Sequence, residues 1–372
     1  MTPGSRSLPL IGVALAATAC HGGPAGAAPL RPRLEARAVP TRALLQAVHA
    51  VDDSVAWAAG HEDTWLRTLD GGRRWSVGAV PGAEGLEFRD VWAAGPDTAF
   101  LLAAGPGDRS RIYVTTDGGG TWTARFVNRD TAAFFDCMDF RDARHGLAFS
   151  DAVRGRFPVL RTDDGGRSWA AVPDSLLPAA RPGEAGFAAS GGCVATGSGG
   201  RAWIGTGATD APRVLRSRRA GPWRSTPVPL SGGASAGVMA VAFRDSLHGI
   251  AVGGDLDRRP DADSGASGPG EAVRGTGRAD GRVAITSNGG RSWTPGGSPL
   301  LAGPVFGAAW VPAAPSPTVV AVGPGGADYS IDGGRSWIRL DTAAYWSVSF
   351  ASPSTGWLVG PGGRVTRVSF AP

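Results

Sequence analysis

Five carboxylates, Asp136, Asp139, Asp151, Glu184 and Asp255, fall at strand starts or in loops, where a fold could gather them on one face. Two such groups about 5 Å apart cleave a glycosidic bond with retention, and roughly 6.5 to 9.5 Å apart they do so with inversion. The same residue types also cap turns, because Asp accepts hydrogen bonds from nearby amides. Five histidines, His21, His49, His61, His145 and His248, show no close ligand spacing, so no metal site is expected. His145 and His248 occupy equivalent places in two repeats, which points to a shared turn role. No Gly-x-Gly-x-x-Gly opens a helix after a strand, and no cofactor is expected. The serines sit mostly in repeated turns, so no Ser-His-Asp arrangement is assigned and no residue is named as catalytic.

The elements that would position these groups follow from self-similarity. Five segments share one pattern: Thr68-Leu-Asp70-Gly-Gly72-Arg-Arg-Trp75, Thr115-Thr-Asp117-Gly-Gly119-Gly-Thr-Trp122, Thr162-Asp-Asp164-Gly-Gly166-Arg-Ser-Trp169, Thr286-Ser-Asn288-Gly-Gly290-Arg-Ser-Trp293 and Ser330-Ile-Asp332-Gly-Gly334-Arg-Ser-Trp337. Asp or Asn bonds amides within the turn, Gly takes positive φ, and Trp packs the hairpin between sheets. The motif is a hairpin clip. With Trp223 as a sixth, degenerate copy, the tryptophans recur at spacings of 47, 47, 54, 70 and 44 residues. That period suits a four-stranded blade. A second phrase recurs upstream, in Phe140-Arg-Asp-Ala-Arg-His145-Gly and Phe243-Arg-Asp-Ser-Leu-His248-Gly, and continues near Phe350 and Trp357. It is read as an inner strand, a turn and a second strand. The expectation is an all-β, seven-bladed β-propeller with four-stranded blades. The seventh blade lacks a fourth strand, which residues 33–40 supply, closing the ring and removing an unpaired edge.

These clips are Asp-boxes, and with their flanking phrases they resemble the BNR/Asp-box repeat propellers. They are especially similar to the photosystem II stability/assembly factor-like family, in an exported bacterial branch that carries generic labels such as oxidoreductase or glycosyl hydrolase. The resemblance covers residues 39–370 and rests also on Phe149-Ser-Asp151, Gly183-Glu184-Ala-Gly-Phe187, Ala202-Trp203-Ile-Gly and Val252-Gly-Gly-Asp255. It implies a propeller fold and, in photosynthetic members, a role in assembling a membrane reaction centre. Nothing in the sequence points to a photosynthetic host. Sialidases share Asp-boxes, but their Arg-Ile-Pro phrase is missing. Only Tyr113, Tyr329 and Tyr345 could serve as a tyrosine nucleophile, and Tyr113 and Tyr329 stand in strands that lead to clips.

Composition sets the compartment. Glycine at 58 residues and proline at 29 approach the level of disorder, yet 13 Trp and 13 Phe supply a core, so many short strands joined by turns reconcile them. The net charge is +5, and every one of the 37 basic residues is Arg; they are scattered among turns, so no nucleic-acid partner is expected. Arg6 precedes an apolar run at residues 8–17, too short to span a bilayer, which marks residues 1–20 as a signal peptide. Ala17-Thr18-Ala19-Cys20 resembles a lipobox with Ala in place of the usual Leu, and it also offers an Ala-x-Ala cleavage site, so lipidation of Cys20 and its removal both stand. Residues 21–32 read as a flexible tether, residues 33–372 as one propeller domain, and residues 255–280 as a long loop. Cys137 and Cys193 are a candidate disulfide in an oxidising compartment, with two separate buried thiols as the alternative.

The expected function is an exported propeller scaffold, periplasmic or membrane-anchored, that binds a protein or small ligand; an unknown protein or glycan is the expected partner. The membrane enters only through a lipid anchor, and a monomer is expected. The candidate ligand face carries the loops around Asp136, Asp151, Glu184, Trp203, Asp255 and Tyr345. The alternative is a carbohydrate-active enzyme, a glycosidase other than a sialidase, using carboxylates of that face.

Overall fold

The structure, a computed structural model, describes residues 1, 32–218, 221–258 and 279–370. Cys20, the tether up to residue 31 and residues 259–278 of the long loop lie outside the described residues. Strands pair into seven four-stranded antiparallel sheets, at residues 45–79, 88–127, 135–171, 194–227, 236–295 and 307–341, with the seventh made from 347–369 and 33–37. These are the seven blades of a β-propeller, numbered 1 to 7 here. Strand Arg33–Arg37 pairs antiparallel with Arg364–Ser369, from Arg33 opposite Ser369 to Arg37 opposite Val365. The N-terminal strand thus becomes the outer strand of blade 7 and holds the ring shut.

The core lies between blades. Buried apolar side chains form seven clusters among the described residues, one in each gap between neighbours. Strand alternation makes this work, since successive residues point to opposite faces of a sheet. In Ala56–Gly60, Trp57 and Ala59 enter the gap to blade 2, while Ala56 and Ala58 enter the gap to blade 7. Second strands are therefore apolar on both sides and read as continuous hydrophobic runs.

All five clips form the turn between third and fourth strands. In the second, Thr115 Oγ1 donates to Asp117 Oδ1 at 2.8 Å and accepts from Gly119 N at 2.9 Å, while Asp117 also accepts from Thr121 N at 2.8 Å. Hydrogen bonds from the Thr121 amide and hydroxyl hold the Asp117 carboxyl down at about 2. The second glycine of the clip serves packing as well as conformation. Gly72 has φ 79°, and a Cβ there would lie 2.0 Å from Trp357 Cη2 of blade 7. Without a side chain at Gly72, the clip closes onto the ring of the preceding blade, and Trp75 meets Trp357 edge-on at 5.1 Å.

Blade 4 begins differently. Residues 183–192 leave the outer edge of blade 3 and cross the propeller axis. Gln46 Nε2 of blade 1 donates to Ala188 O at 3.1 Å, Ser347 Oγ of blade 7 to Ser190 O at 3.2 Å, Ser190 Oγ to Phe306 O at 2.7 Å, and Val241 N of blade 5 to Gly192 O at 2.8 Å. This segment is a plug. The inner strand of blade 4, Val194–Gly197, begins only after it. Cys193, at the plug's end, is disulfide-bonded to Cys137 on the inner strand of blade 3, with Cα atoms 5.8 Å apart.

Candidate functional site

Antiparallel order gives the ring two faces. An entry face carries the links between blades and between second and third strands; a clip face carries the turns between first and second strands together with the clips. The plug crosses near the starts of the inner strands, on the entry side. A blind axial cavity of about 590 Å³ remains, floored by Ser190, Gly191 and Gly192 and walled by the last residues of the inner strands, including His49, Trp92, Asp139 and Trp310. It opens on the clip face, because Arg244 and Pro312, in first-to-second-strand turns, stand at its mouth.

The polar side chains of its wall clasp one inner strand to the next. Ser349 Oγ accepts from Ala50 N at 3.0 Å, His49 Nδ1 from Ala93 N at 3.0 Å, Asp90 Oδ2 from Met138 N at 2.7 Å, and Asp139 Oδ2 from Thr196 N at 2.6 Å. Burial pushes Asp139 up to about 6, Asp90 well above the carboxylate range, and His49 down to about 4. With its Nδ1 lone pair taken by an amide, neutral His49 carries its proton on Nε2 and can donate it. Arg244 carries no ion pair among the described residues, so the mouth of the cavity offers donors and positive charge.

A second feature of the clip face is an arginine row on blade 4, the blade without a clip. Cross-strand register sets Arg216 opposite Arg224 and Arg201 opposite Arg218. Arg216 is also opposite Trp203, so all four share the side of the sheet that packs toward blade 5. Burial and then the charges of Arg291 and Arg224 push the Arg216 guanidinium below its ordinary value, which places Arg291 of the blade 5 clip in the same cluster. Arg216 Nε is buried and has no hydrogen-bond partner among the described residues. Among the described residues the arginine ion pairs belong to others, such as Arg213 with Glu184 and Arg339 with Asp328, and none involves these five. Like charges directly opposite each other destabilise a sheet, so the fold alone gives no reason for this arrangement.

The residues singled out from the sequence are dispersed. Asp136 and Asp151 come together on the entry side and share a hydrogen bond, with Gly186 N of the plug donating to Asp151 Oδ1 at 2.8 Å. Burial, then the neighbouring Asp151 charge, raises Asp136 well above the carboxylate range. Glu184 is buried against Arg213, which donates from Nε at 2.7 Å and Nη2 at 2.6 Å. Burial works to raise its pKa, but hydrogen bonds from Arg213 and Thr206 outweigh that and keep it low. Asp255 accepts from Ser235 Oγ at 2.7 Å, and Tyr345 is buried, donating to Asp341 Oδ2 at 2.6 Å. Trp203 lies away from them, stacked on Phe243 with centroids 3.6 Å apart, its indole donating to Gly289 O of the blade 5 clip. Glycoside cleavage needs two carboxylates across an open cleft; Asp136 and Glu184 are 2% exposed and engaged internally. Sequence reasoning missed His49, Arg244, Trp310 and the arginine row. For the row a signal existed: residues 213–224 hold five arginines and no carboxylate.

No protein-family model matches the chain, and no curated protein matches it significantly. Solved structures do resemble it. YCF48 bound to D1 peptide superposes with a TM-score of 0.60 at 17% identity, covering 90% of this chain and 96% of that one. YCF48 from Cyanidioschyzon merolae gives 0.59 at 17%, covering 90% and 98%. The WD40 β-propeller domain of Doa1 gives 0.56 at 14%, covering 91% and 97%. At these identities the shared property is the seven-bladed fold.

Proposed function

We propose that this protein is an exported scaffold that binds an acidic polypeptide segment on its clip face. The observation that carries the reading is the arginine row, in which four guanidiniums of one blade oppose each other in pairs beside Arg291. A carboxylate-bearing partner would relieve that repulsion. The blind cavity beside it, with Arg244 at the mouth and His49 Nε2–H within, offers donors to the same kind of ligand. A YCF48 of the same fold binds a D1 peptide, which supports a polypeptide as the partner class. The Cys137–Cys193 bridge supports an oxidising compartment, and hence export. The test is fluorescence anisotropy of a labelled dodecapeptide with Asp at alternate positions, titrated from 50 to 300 mM salt. Binding that weakens steeply with salt is expected; an affinity no better than that of a neutral peptide of the same length would overturn the reading.

A further inference from the structure

Blade 4 departs from its neighbours a second time, on the side of its sheet away from the arginine row. A hollow of about 90 Å³ lies between blades 3 and 4 at the clip face, lined by Leu147, Val172, Leu176, Ala202 and Trp223, with Arg201 at its lip. The missing clip explains it. In blade 3 the clip residue Trp169 lies edge-on to Phe140, which stacks on Phe100 and fills the gap to blade 2. In blade 4 the inner strand ends at Gly197 without an aromatic counterpart to Phe140. Trp223 instead donates its amide to Leu176 O at 2.7 Å, and the unfilled space is the hollow.

We propose that this hollow is the anchor pocket for one aliphatic side chain, of the size of Leu or Met, in the acidic partner segment. The inference rests on the reading of the clip face as a polypeptide-binding surface and adds what the segment must carry. Size sets the class of side chain: an apolar cavity of roughly 150 Å³ takes a benzene ring, so this one admits a branched aliphatic chain and excludes an indole. Leu147, Val172, Leu176, Ala202 and Trp223 make its apolar wall, with Arg141, His145, Arg161 and Asp163 also around it, and Leu147 and Leu176 remain half-buried, leaving surface for a guest to cover. Charge sets the flanks. Ser217 lines the hollow, and the residues before and after it, Arg216 and Arg218, belong to the arginine row on the other side of the same sheet. An extended segment advances about 3.3 Å per residue and a sheet layer is about 10 Å thick, so carboxylates about three residues from the anchor reach the row.

Two acidic dodecapeptides test this, one with a single central Leu and one with Ala in its place. The Leu peptide is expected to bind roughly ten- to hundredfold more tightly, the range set by burying one aliphatic side chain. Ala202→Leu, which fills the hollow, removes that difference, so that the two peptides bind it alike. Should Ala202→Leu fail to fold, Leu176→Ala carries the test by enlarging the hollow, and the preferred anchor shifts from Leu to Phe. Equal binding of the Leu and Ala peptides, or an anchor preference that neither variant alters, overturns the anchor pocket while the clip-face reading stands. Salt-independent, weak binding of both peptides overturns both.

Discussion

Replacing Arg224 by Glu pulls apart the two consequences of the arginine row. Arg224 is exposed and directly opposite Arg216, whose Nε is buried without a partner among the described residues. Removing a like-charge cross-strand pair and creating an opposite-charge one each contribute roughly 0.2–1 kcal/mol, so Arg224→Glu stabilises the blade by about 1 kcal/mol. In a domain of this size that raises Tm by about 2 °C. The same change inverts one charge where the proposed carboxylates dock. One lost charge-assisted contact and one new repulsion weaken binding of the acidic dodecapeptide about tenfold or more. Thermal melts and peptide anisotropy on the same preparation, both at 50 mM salt, read the two effects. A variant that melts lower than the native protein would refute the reasoning about the pair, and one that binds the peptide unchanged would refute the docking site.

Three further outcomes are expected. Burial raises the folded-state pKa values of Asp136 and Asp151, and the neighbouring Asp151 charge raises Asp136 further, whereas the unfolded chain releases such protons near pH 4; their contribution is present below that pH and lost as pH rises through the folded values. The Tm advantage of Asp136→Asn over the native protein therefore grows between pH 4 and pH 8, and a constant difference contradicts the raised folded-state value of Asp136. Gly72→Ala places a Cβ on Trp357 at positive φ and costs about 3 kcal/mol, while Gly82→Ala, at φ 77° with nothing near its Cβ, costs about 1 kcal/mol; equal denaturation midpoints would show that clip-to-ring packing does not set the requirement. Cys137→Ser with Cys193→Ser removes a cross-link between residues 56 apart in sequence and lowers stability by about 4 kcal/mol on the chain-entropy account, and an unchanged urea midpoint would contradict it.

The ring was legible because its signal is local and repeated. Each clip needs its Asp or Asn, two glycines and a Trp within eight residues, and five copies, with Trp223 as a degenerate sixth, at spacings of 44 to 70 residues determine a blade period without knowledge of contacts. Closure by Arg33–Arg37 was legible for a related reason, since a seventh blade short of one strand needs an edge partner. The plug was not legible. Residues 183–192 carry no repeat pattern, and only the fold reveals that their carbonyls meet Gln46, Val241 and Ser347 from blades 1, 5 and 7. Because the plug seats itself on the entry side, the open cavity lies on the other face from Asp136, Asp151 and Glu184. Their charges could be read from the sequence, but their partners could not: Arg213 is 29 residues from Glu184, on the third strand of the blade that has no clip to set the register. The arginine row was hidden by the same gap, because opposing Arg216 to Arg224 requires the pairing of two strands whose connecting turn follows no repeat.

The measurement that bears most directly on the clip face as the partner-binding surface is site-specific photo-crosslinking in the native cell. A photoreactive residue at Ser316, at the rim of the axial cavity, should capture a polypeptide, and Arg216→Glu with Arg224→Glu should abolish that capture. The same probe at Asp108, on the entry face, should capture none. Capture from Asp108 alone, or capture from Ser316 that survives both charge reversals, would contradict the account.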